Sequence, residues 1–148
     1  MRINKIDDLV DMWMEDSKIP EMDLDKSSLD AAKLHGKYMS ILVHHKLLVK
    51  KIGSEYKKVK LVKWKYYRGE LNNPADLQKY NLPPMQNTIM KQDIDIWLDA
   101  DDELCGILLK KEYHEEIVDA CKEIIKQLGN RQWQIRNAIE HRKFISGG

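Results

Sequence analysis

Cations and aromatic rings are concentrated in one stretch, residues 57–71, which reads KKVKLVKWKYYRGEL. It holds five lysines, one arginine, one tryptophan and two tyrosines, although the 148-residue chain has a formal net charge of only +1. Lysine and arginine bind phosphate groups, and an aromatic ring can stack on an unpaired base for ~1–3 kcal/mol. The stretch is therefore suited to holding a polyanion, although the solvated face of an ordinary helix can have a similar composition.

Charge is also segregated along the whole chain. Residues 46–68 carry nine bases and one acid, a net +8, whereas residues 1–30 and residues 99–130 each carry −5. A basic block between two acidic ones indicates a partner that is a nucleic acid, a membrane or an acidic protein.

The histidines and acids do not form a catalytic or metal-binding pattern. His44 and His45 are adjacent, so on a helix they diverge by about 100° and cannot bind one metal; we expect one in an apolar seam and one in solvent. The other histidines have no partner at metal-ligand spacing; they are His35, His114 and His141. The acids of DIDIWLDADDE (93–103) suit the start of a helix capped at Asp99 better than a magnesium site. Without a glycine-rich phosphate loop, an ATPase is excluded, and we expect no enzymatic activity, metal or cofactor.

Composition and periodicity predict an all-α fold. Seven glycines and four prolines are few for a chain that is 33% charged, which favours long helices. A short helix is predicted over residues 3–15, from Ile3 to a stop at Pro20, and a long helix from a cap at Asp25 or Ser27 to Tyr67. Two C-terminal helices are predicted, over 99–128 and 131–144, with a break near Gly129.

The long helix carries an apolar seam with a repeat near 3.5 residues, which requires a partner helix as in a coiled coil. The seam consists of Tyr38, Leu42, His45, Val49, Ile52, Tyr56, Val59 and Tyr66. Helical phase defines another face, within about 40° of Lys46, with further lysines on the adjoining side. The face holds Lys50, Lys57, Trp64 and Arg68, and the adjoining side holds Lys51, Lys58 and Lys65. Trp64 is therefore expected among exposed cations.

Apolar residues at helical spacing continue in the C-terminal part, where this second seam could close on the long helix or on another subunit. They are Leu104, Leu108, Val118, Cys121, Ile125 and Leu128.

Gly69 is expected to end the long helix. Residues 71–98 are expected to be a loop or linker, and within them 88–98 is expected to be either a strand or extended linker. Cys105 and Cys121 are expected to be free thiols, because a sixteen-residue separation along a helix prevents a disulfide.

No apolar run is long enough for a signal peptide or a membrane span, so we expect a cytoplasmic location. A membrane-surface helix would need a free apolar face opposite the lysines, and the coiled-coil-like seam occupies that face.

Two stretches resemble the UvsY family of recombination mediators of large contractile-tailed bacteriophages, and the resemblance spans nearly the full chain. KLVKWKYYRG (60–69) is similar to the family's basic motif, in which two cations precede a Tyr-Tyr pair and a glycine. RQWQIRNAIEHRKFISG (131–147) is similar to its C-terminal pattern, and WLDADDEL (97–104) is a supporting match.

The resemblance implies one domain over residues 1–148. It has N-terminal helices in 1–70 with a DNA-binding basic block at 46–68, a loop or linker at 71–98, and C-terminal helices in 99–148 as the oligomerisation region. It implies a non-enzymatic accessory protein that forms a homo-oligomeric ring, hexameric or heptameric, and binds single-stranded DNA. Such a protein helps displace the phage single-stranded DNA-binding protein and loads a RecA-like recombinase, UvsX, in recombination and repair.

When the family's basic motif is aligned with residues 60–69, its second DNA-contacting cation falls on Lys63. Its first DNA-contacting cation falls on Leu61, which carries no charge. The residues expected at the DNA are Lys57, Lys58, Lys60, Lys63, Trp64, Lys65, Tyr67 and Arg68. Those expected at the oligomer interface are the C-terminal seam residues together with Trp133, Ile135 and Phe144. The alternative is a helical protein–protein scaffold whose basic face docks on an acidic partner without binding DNA.

Overall fold

The computed structural model describes residues 5–18 and 24–147, without the side chains of residues 24–28, and within these ranges the chain is all-α. The helices there are α1 (Ile6–Asp16), α2 (Leu24–Tyr67), α3 (Pro74–Lys79), α4 (Ile94–Asp99) and α5 (Asp102–Ile145). The predicted all-α class, short first helix and long second helix are confirmed. Ile3, Pro20 and the side chains of Asp25 and Ser27, which were predicted to bound α1 and α2, lie outside what is described.

The chain divides into two compact units. The terminal unit consists of residues 1–47 and 114–148, and the central unit consists of residues 48–113. Helices α2 and α5 each contribute to both units. Every helix in the described ranges is too short or too polar to cross a membrane.

The core of the terminal unit is built where the predicted seam of α2 meets α5. Tyr38 and Leu42 from α2 are buried with Ile117, Cys121 and Leu128 from α5 and with Leu9 from α1. Burial raises the pKa of the Cys121 thiol to about 11, so this cysteine stays protonated and acts as a small apolar side chain. Cys105 and Cys121 are both free thiols, as predicted.

Asp16 and Arg131 fix the C-terminal end of α1. The Asp16 carboxylate accepts hydrogen bonds from Lys37 Nζ (2.7 Å) and from the Tyr38 hydroxyl (2.9 Å). The Arg131 guanidinium donates to the main-chain oxygens of Asp16 (3.3 Å) and Lys18 (3.0 Å). Carbonyls at a helix end lack partners inside the helix, so a cation placed there both satisfies them and complements the helix dipole.

His45 lies in the seam, buried against α5, while His44 is exposed, as the spacing predicted. The Nδ1 atoms of His45 and His114 are 2.9 Å apart, so one proton is shared between the two nitrogens. Burial, followed by the proximity of His114 and His44, lowers the pKa of His45, so the neutral ring is favoured. Sixty-nine residues separate this pair in sequence, which is why spacing could not reveal it.

Helix α5 differs from its prediction at two places. It continues through Gly129, where a break was predicted. One glycine costs a helix only about 1 kcal/mol relative to alanine, and the buried side chains of Leu128 and Ile135 on either side hold the helix in the terminal unit. Its first turn is capped by Asp101, whose Oδ1 accepts from the Leu104 N–H at 3.0 Å, and not by Asp99.

The segment 71–98, expected as a loop or linker, contains two short helices. Asn73 caps α3 by accepting from the Ala75 N–H, with Pro74 at the first helical position. Residues 88–98 form neither a strand nor extended linker throughout, because a 3-10 turn over Lys91–Asp93 leads into α4. Ile94 and Leu98, one helical turn apart, are both buried, which gives α4 an apolar side that packs in the central unit.

Candidate nucleic-acid interface

Residues 57–68, here called the basic segment, lie at the C-terminal end of α2 and belong to the central unit. The helix ends at Tyr67, and Gly69 adopts a φ of 79°. The Glu70 N–H bonds to the Lys65 carbonyl (2.9 Å) and the Gly69 N–H to the Tyr66 carbonyl (3.0 Å). This is the Schellman arrangement, in which glycine takes the left-handed position. The predicted stop at Gly69 is confirmed.

Five cations of the segment are exposed to solvent, and all five were predicted at the DNA. They are Lys57, Lys58, Lys60, Lys65 and Arg68. Lys58 and Lys65 are seven residues apart, two helical turns, so they lie on the same side of α2. The exposed ammonium groups of the four lysines are available to phosphates, whereas the Arg68 guanidinium also lies 3.5 Å from a carboxylate oxygen of Glu70.

Lys63 is placed differently from these cations, because its side chain is buried in an ion-pair cluster. The residue is 8% exposed, and its Nζ lies 3.2 Å from a carboxylate oxygen of Asp101 and 3.2 Å from one of Glu103. Lys63 therefore links α2 to the beginning of α5 within the central unit.

Asp101 is the centre of that cluster. It is buried, and its carboxylate accepts from the Tyr67 hydroxyl and the Leu104 N–H while it pairs with Lys63. Burial alone would raise the pKa of Asp101, but these hydrogen bonds and the lysine charge outweigh it and lower the pKa. Burial, followed by the hydrogen bond to Asp101, raises the pKa of Tyr67. Asp101 stays ionised and Tyr67 protonated, so the cluster is fully hydrogen-bonded near neutral pH.

The aromatic residues of the segment are less accessible than helical phase predicted. Trp64 is half-buried and packs against the apolar cluster of Ile94, Leu98 and Leu104, because α4 and the start of α5 cover that part of α2. The Arg68 guanidinium lies 4.2 Å from the centre of the Trp64 ring. The expectation of a freely exposed Trp64 is therefore wrong.

Tyr67 and Tyr66 also make contacts inside the central unit. The Tyr67 ring lies 6.0 Å from that of Trp97, and the buried Tyr66 donates to the Pro83 carbonyl. These two tyrosines therefore contribute to positioning the segment.

The residues predicted for assembly fall into two groups. Most are buried or half-buried within this chain: Leu104, Leu108, Val118, Cys121, Ile125, Leu128 and Ile135. Trp133 and Phe144 are 64% and 81% exposed. The apolar seam therefore closes largely inside the chain, and these two aromatics remain available to another surface.

The partners of Lys63 were not recognised from the sequence. Asp101 and Glu103 fitted the acidic first turn of a helix, and no spacing connects them with a lysine some forty residues earlier. Among the described residues, no group of three or more histidine, cysteine, aspartate or glutamate side chains is placed to hold a metal ion.

Comparison with known proteins agrees with this architecture. A family model described as recombination, repair and ssDNA binding protein UvsY matches residues 12–148. Crystal structures of the bacteriophage T4 recombination mediator protein UvsY in lattice types II, I and IV are similar, with TM-scores of 0.81, 0.80 and 0.77 and identities of 18, 18 and 17%. They cover 99, 93 and 97% of this chain, which in turn covers 98% of each. At these identities the structural likeness shows a shared fold. No curated protein matches the chain.

Proposed function

Because the chain belongs to the UvsY family of recombination, repair and single-stranded DNA binding proteins, we propose that it is a phage recombination mediator whose basic segment on α2 binds single-stranded DNA. It acts without catalysing a reaction, in the host cytoplasm. It helps displace the single-stranded DNA-binding protein and loads a RecA-like recombinase of the UvsX type. The observation that carries the proposal is the group of five exposed cations at the end of α2.

Binding through these cations is electrostatic. Each lysine or arginine that neutralises a phosphate releases a bound counterion, and for single strands the log-log salt slope is about −0.7 per contact. Five contacts per subunit therefore give a slope of about −3.5, which means that one subunit binds weakly at physiological salt.

Assembly supplies the missing affinity. In a ring-shaped homo-oligomer, binding of the first basic segment raises the effective concentration of the strand at the next one. A strand that follows several segments is held tightly although each contact is weak. The exposed Trp133 and Phe144 are the proposed contacts between subunits.

Lys63 and Tyr67 act indirectly in this proposal. Their cluster with Asp101 holds α2 against the start of α5, and this fixes the direction in which the exposed cations point. They are positioning residues, whereas Lys57, Lys58, Lys60, Lys65 and Arg68 contact the strand.

The test compares two double variants that remove the same charge. Lys58→Ala with Lys65→Ala removes two exposed cations of the basic segment, and Lys122→Ala with Lys126→Ala removes two exposed lysines of α5 in the terminal unit. Fluorescence anisotropy with a labelled poly-dT oligonucleotide is measured over a salt series. We expect the first variant to bind more weakly, with a slope smaller by about 1.4 for each subunit that engages the strand, because two contacts per subunit are lost. The second should match the wild type.

If the wild-type protein does not bind the oligonucleotide at low salt, the scaffold alternative replaces this function. If both double variants lose affinity equally, binding follows total charge and the basic segment is not the site.

A further inference from the structure

An open groove lies beside the basic segment in the central unit, with a volume of about 230 Å³. Its walls are largely apolar and come from Val59 and Val62 of α2 and from Leu82 in the loop after α3. Lys58, one of the exposed cations of the basic segment, lies at the groove, and Tyr80 forms part of its lining. An apolar groove next to a phosphate-binding cation has the chemistry that a nucleobase requires.

Tyr80 is held in a fixed position at the end of α3. The Tyr80 N–H bonds to the Asp76 carbonyl, and the next residue, Asn81, adopts a φ of 55°. The Leu82 N–H then bonds back to the Leu77 carbonyl at 2.8 Å, which completes a Schellman-type ending. This turn directs Leu82 to the groove beside Tyr80.

Tyr80 is 38% exposed, and cations lie near its ring. Lys79 Nζ is 5.2 Å from the centre of the ring, and Lys58 lies across the groove, on α2. The acid in the lining, Glu103, lies 3.2 Å from Lys63, which it shares with Asp101, so these three side chains together carry one negative charge. The two positive charges of Lys58 and Lys79 outweigh it, which favours an anion beside Tyr80.

The other exposed aromatics of the central unit have different surroundings. Trp97 stands on α4 between Asp95 and Asp99, both exposed. Tyr113 follows the exposed Glu112 on α5. Acids at these positions repel a phosphate backbone, which leaves Tyr80 as the aromatic best placed for a strand that follows the lysines of α2.

We propose that Tyr80 is a base-stacking residue, and that the groove between α2 and the end of α3 takes one unpaired base of the bound strand. Lys58 and Lys79 hold the phosphates on either side of this base. The base stacks on the Tyr80 ring and covers the apolar side chains of Val59, Val62 and Leu82. Because every base has an aromatic face, this subsite tolerates any sequence. The inference rests on the proposed function, since it adds a base contact to the phosphate contacts of the basic segment.

The test uses Tyr80→Ala, Tyr80→Phe and, as a control, Tyr113→Ala. Anisotropy with labelled poly-dT is measured over the same salt series as before. Stacking contributes ~1–3 kcal/mol per base, so we expect Tyr80→Ala to weaken binding about 5- to 140-fold for each subunit that engages the strand, at every salt concentration. The salt slope should not change, because no phosphate contact is lost. Tyr80→Phe keeps the ring and should bind within about twofold of the wild type, as should Tyr113→Ala.

Photo-cross-linking of the unaltered protein gives a second measurement that does not depend on a variant folding. An oligonucleotide with iodouracil at successive positions is irradiated in the complex, and the linked peptide is identified by mass spectrometry. We expect a cross-link at Tyr80.

Unchanged affinity of Tyr80→Ala, or cross-links elsewhere and none at Tyr80, would overturn the inference. If that happens while Lys58→Ala with Lys65→Ala still reduces the salt slope, the stacking subsite is wrong and the proposed function stands. If the wild type fails to bind the oligonucleotide, both fall together.

Discussion

Lys63 and Lys60 lie three residues apart on α2, yet their surroundings give them different roles. Lys60 is exposed, with its Nζ 5.8 Å from the centre of the Tyr56 ring. Lys63 is buried between Asp101 and Glu103. A buried charge loses its hydration, so its partners must replace that hydration, and removing one partner leaves the other uncompensated. We therefore propose that Lys63, at the family position expected to contact DNA, is a structural cation in this chain.

We predict that Lys63→Ala lowers the free energy of unfolding by about 3–5 kcal/mol, because it leaves Asp101 buried without its counter-ion. Lys60→Ala should change it by less than about 0.5 kcal/mol, since the side chain is exposed. Urea denaturation followed by circular dichroism measures both values. Similar small effects of the two substitutions would contradict a structural role for Lys63. DNA affinities of the Lys63 variant are informative only where it is fully folded.

Helix α5 shows how an element can continue past a residue that weakens it. Gly129 is exposed and lies one position after the buried Leu128. An added Cβ at Gly129 would meet nothing within 4 Å outside its own helix and chain neighbours. Gly129 therefore destabilises the helix only through the backbone entropy that glycine loses on folding. The packing energy of the neighbouring turns is larger than this loss, so the helix continues.

We predict that Gly129→Ala stabilises the protein by about 0.5–1 kcal/mol, because alanine loses less backbone entropy in a helix. Gly69→Ala is the matched control, since Gly69 has a φ of 79° and ends α2. It should destabilise by about 1–2 kcal/mol, because a Cβ is unfavourable in the left-handed region. Thermal unfolding gives both shifts. Destabilisation by Gly129→Ala would mean that α5 is interrupted there.

At the scale of the whole molecule, the proposed function makes DNA affinity depend on how many basic segments act on one strand. The seams of α2 and α5 are mostly used inside the chain, so the proposed assembly would use other surfaces. Trp133 and Phe144 on the C-terminal part of α5 are the exposed aromatics predicted for that role. Large exposed aromatic side chains are frequent anchors of protein–protein interfaces.

We predict that Trp133→Glu with Phe144→Glu yields smaller assemblies in sedimentation velocity and lowers affinity for a long poly-dT strand by about 10²–10⁴, the range that multivalency contributes. Gln134→Glu with Asn137→Glu is the control, because it adds the same charge at exposed positions of the same helix without removing an aromatic ring. If the aromatic variant assembles like the control, these residues are not at the subunit interface.

Much of this architecture could be predicted because it depends on neighbours along the chain. A repeat near 3.5 residues places Tyr38, Leu42 and His45 on one side of a helix whatever lies opposite them, and their burial was predicted correctly. Gly69 ends α2 because the left-handed conformation suits glycine, a preference of that residue itself. The excess of cations in residues 46–68 is likewise a property of composition.

Other features depend on which distant elements come into contact, and a single sequence carries no signal for that. Helical phase placed Trp64 among exposed cations, and the family resemblance assigned Lys63 to the DNA, but α4 and the first turn of α5 cover both residues in the folded chain. The His45–His114 pair and the continuity of α5 through Gly129 likewise depend on packing between α2 and α5 in the terminal unit. Local periodicity decides which side of a helix is apolar, whereas burial is a property of two surfaces, and the second surface here comes from tens of residues away.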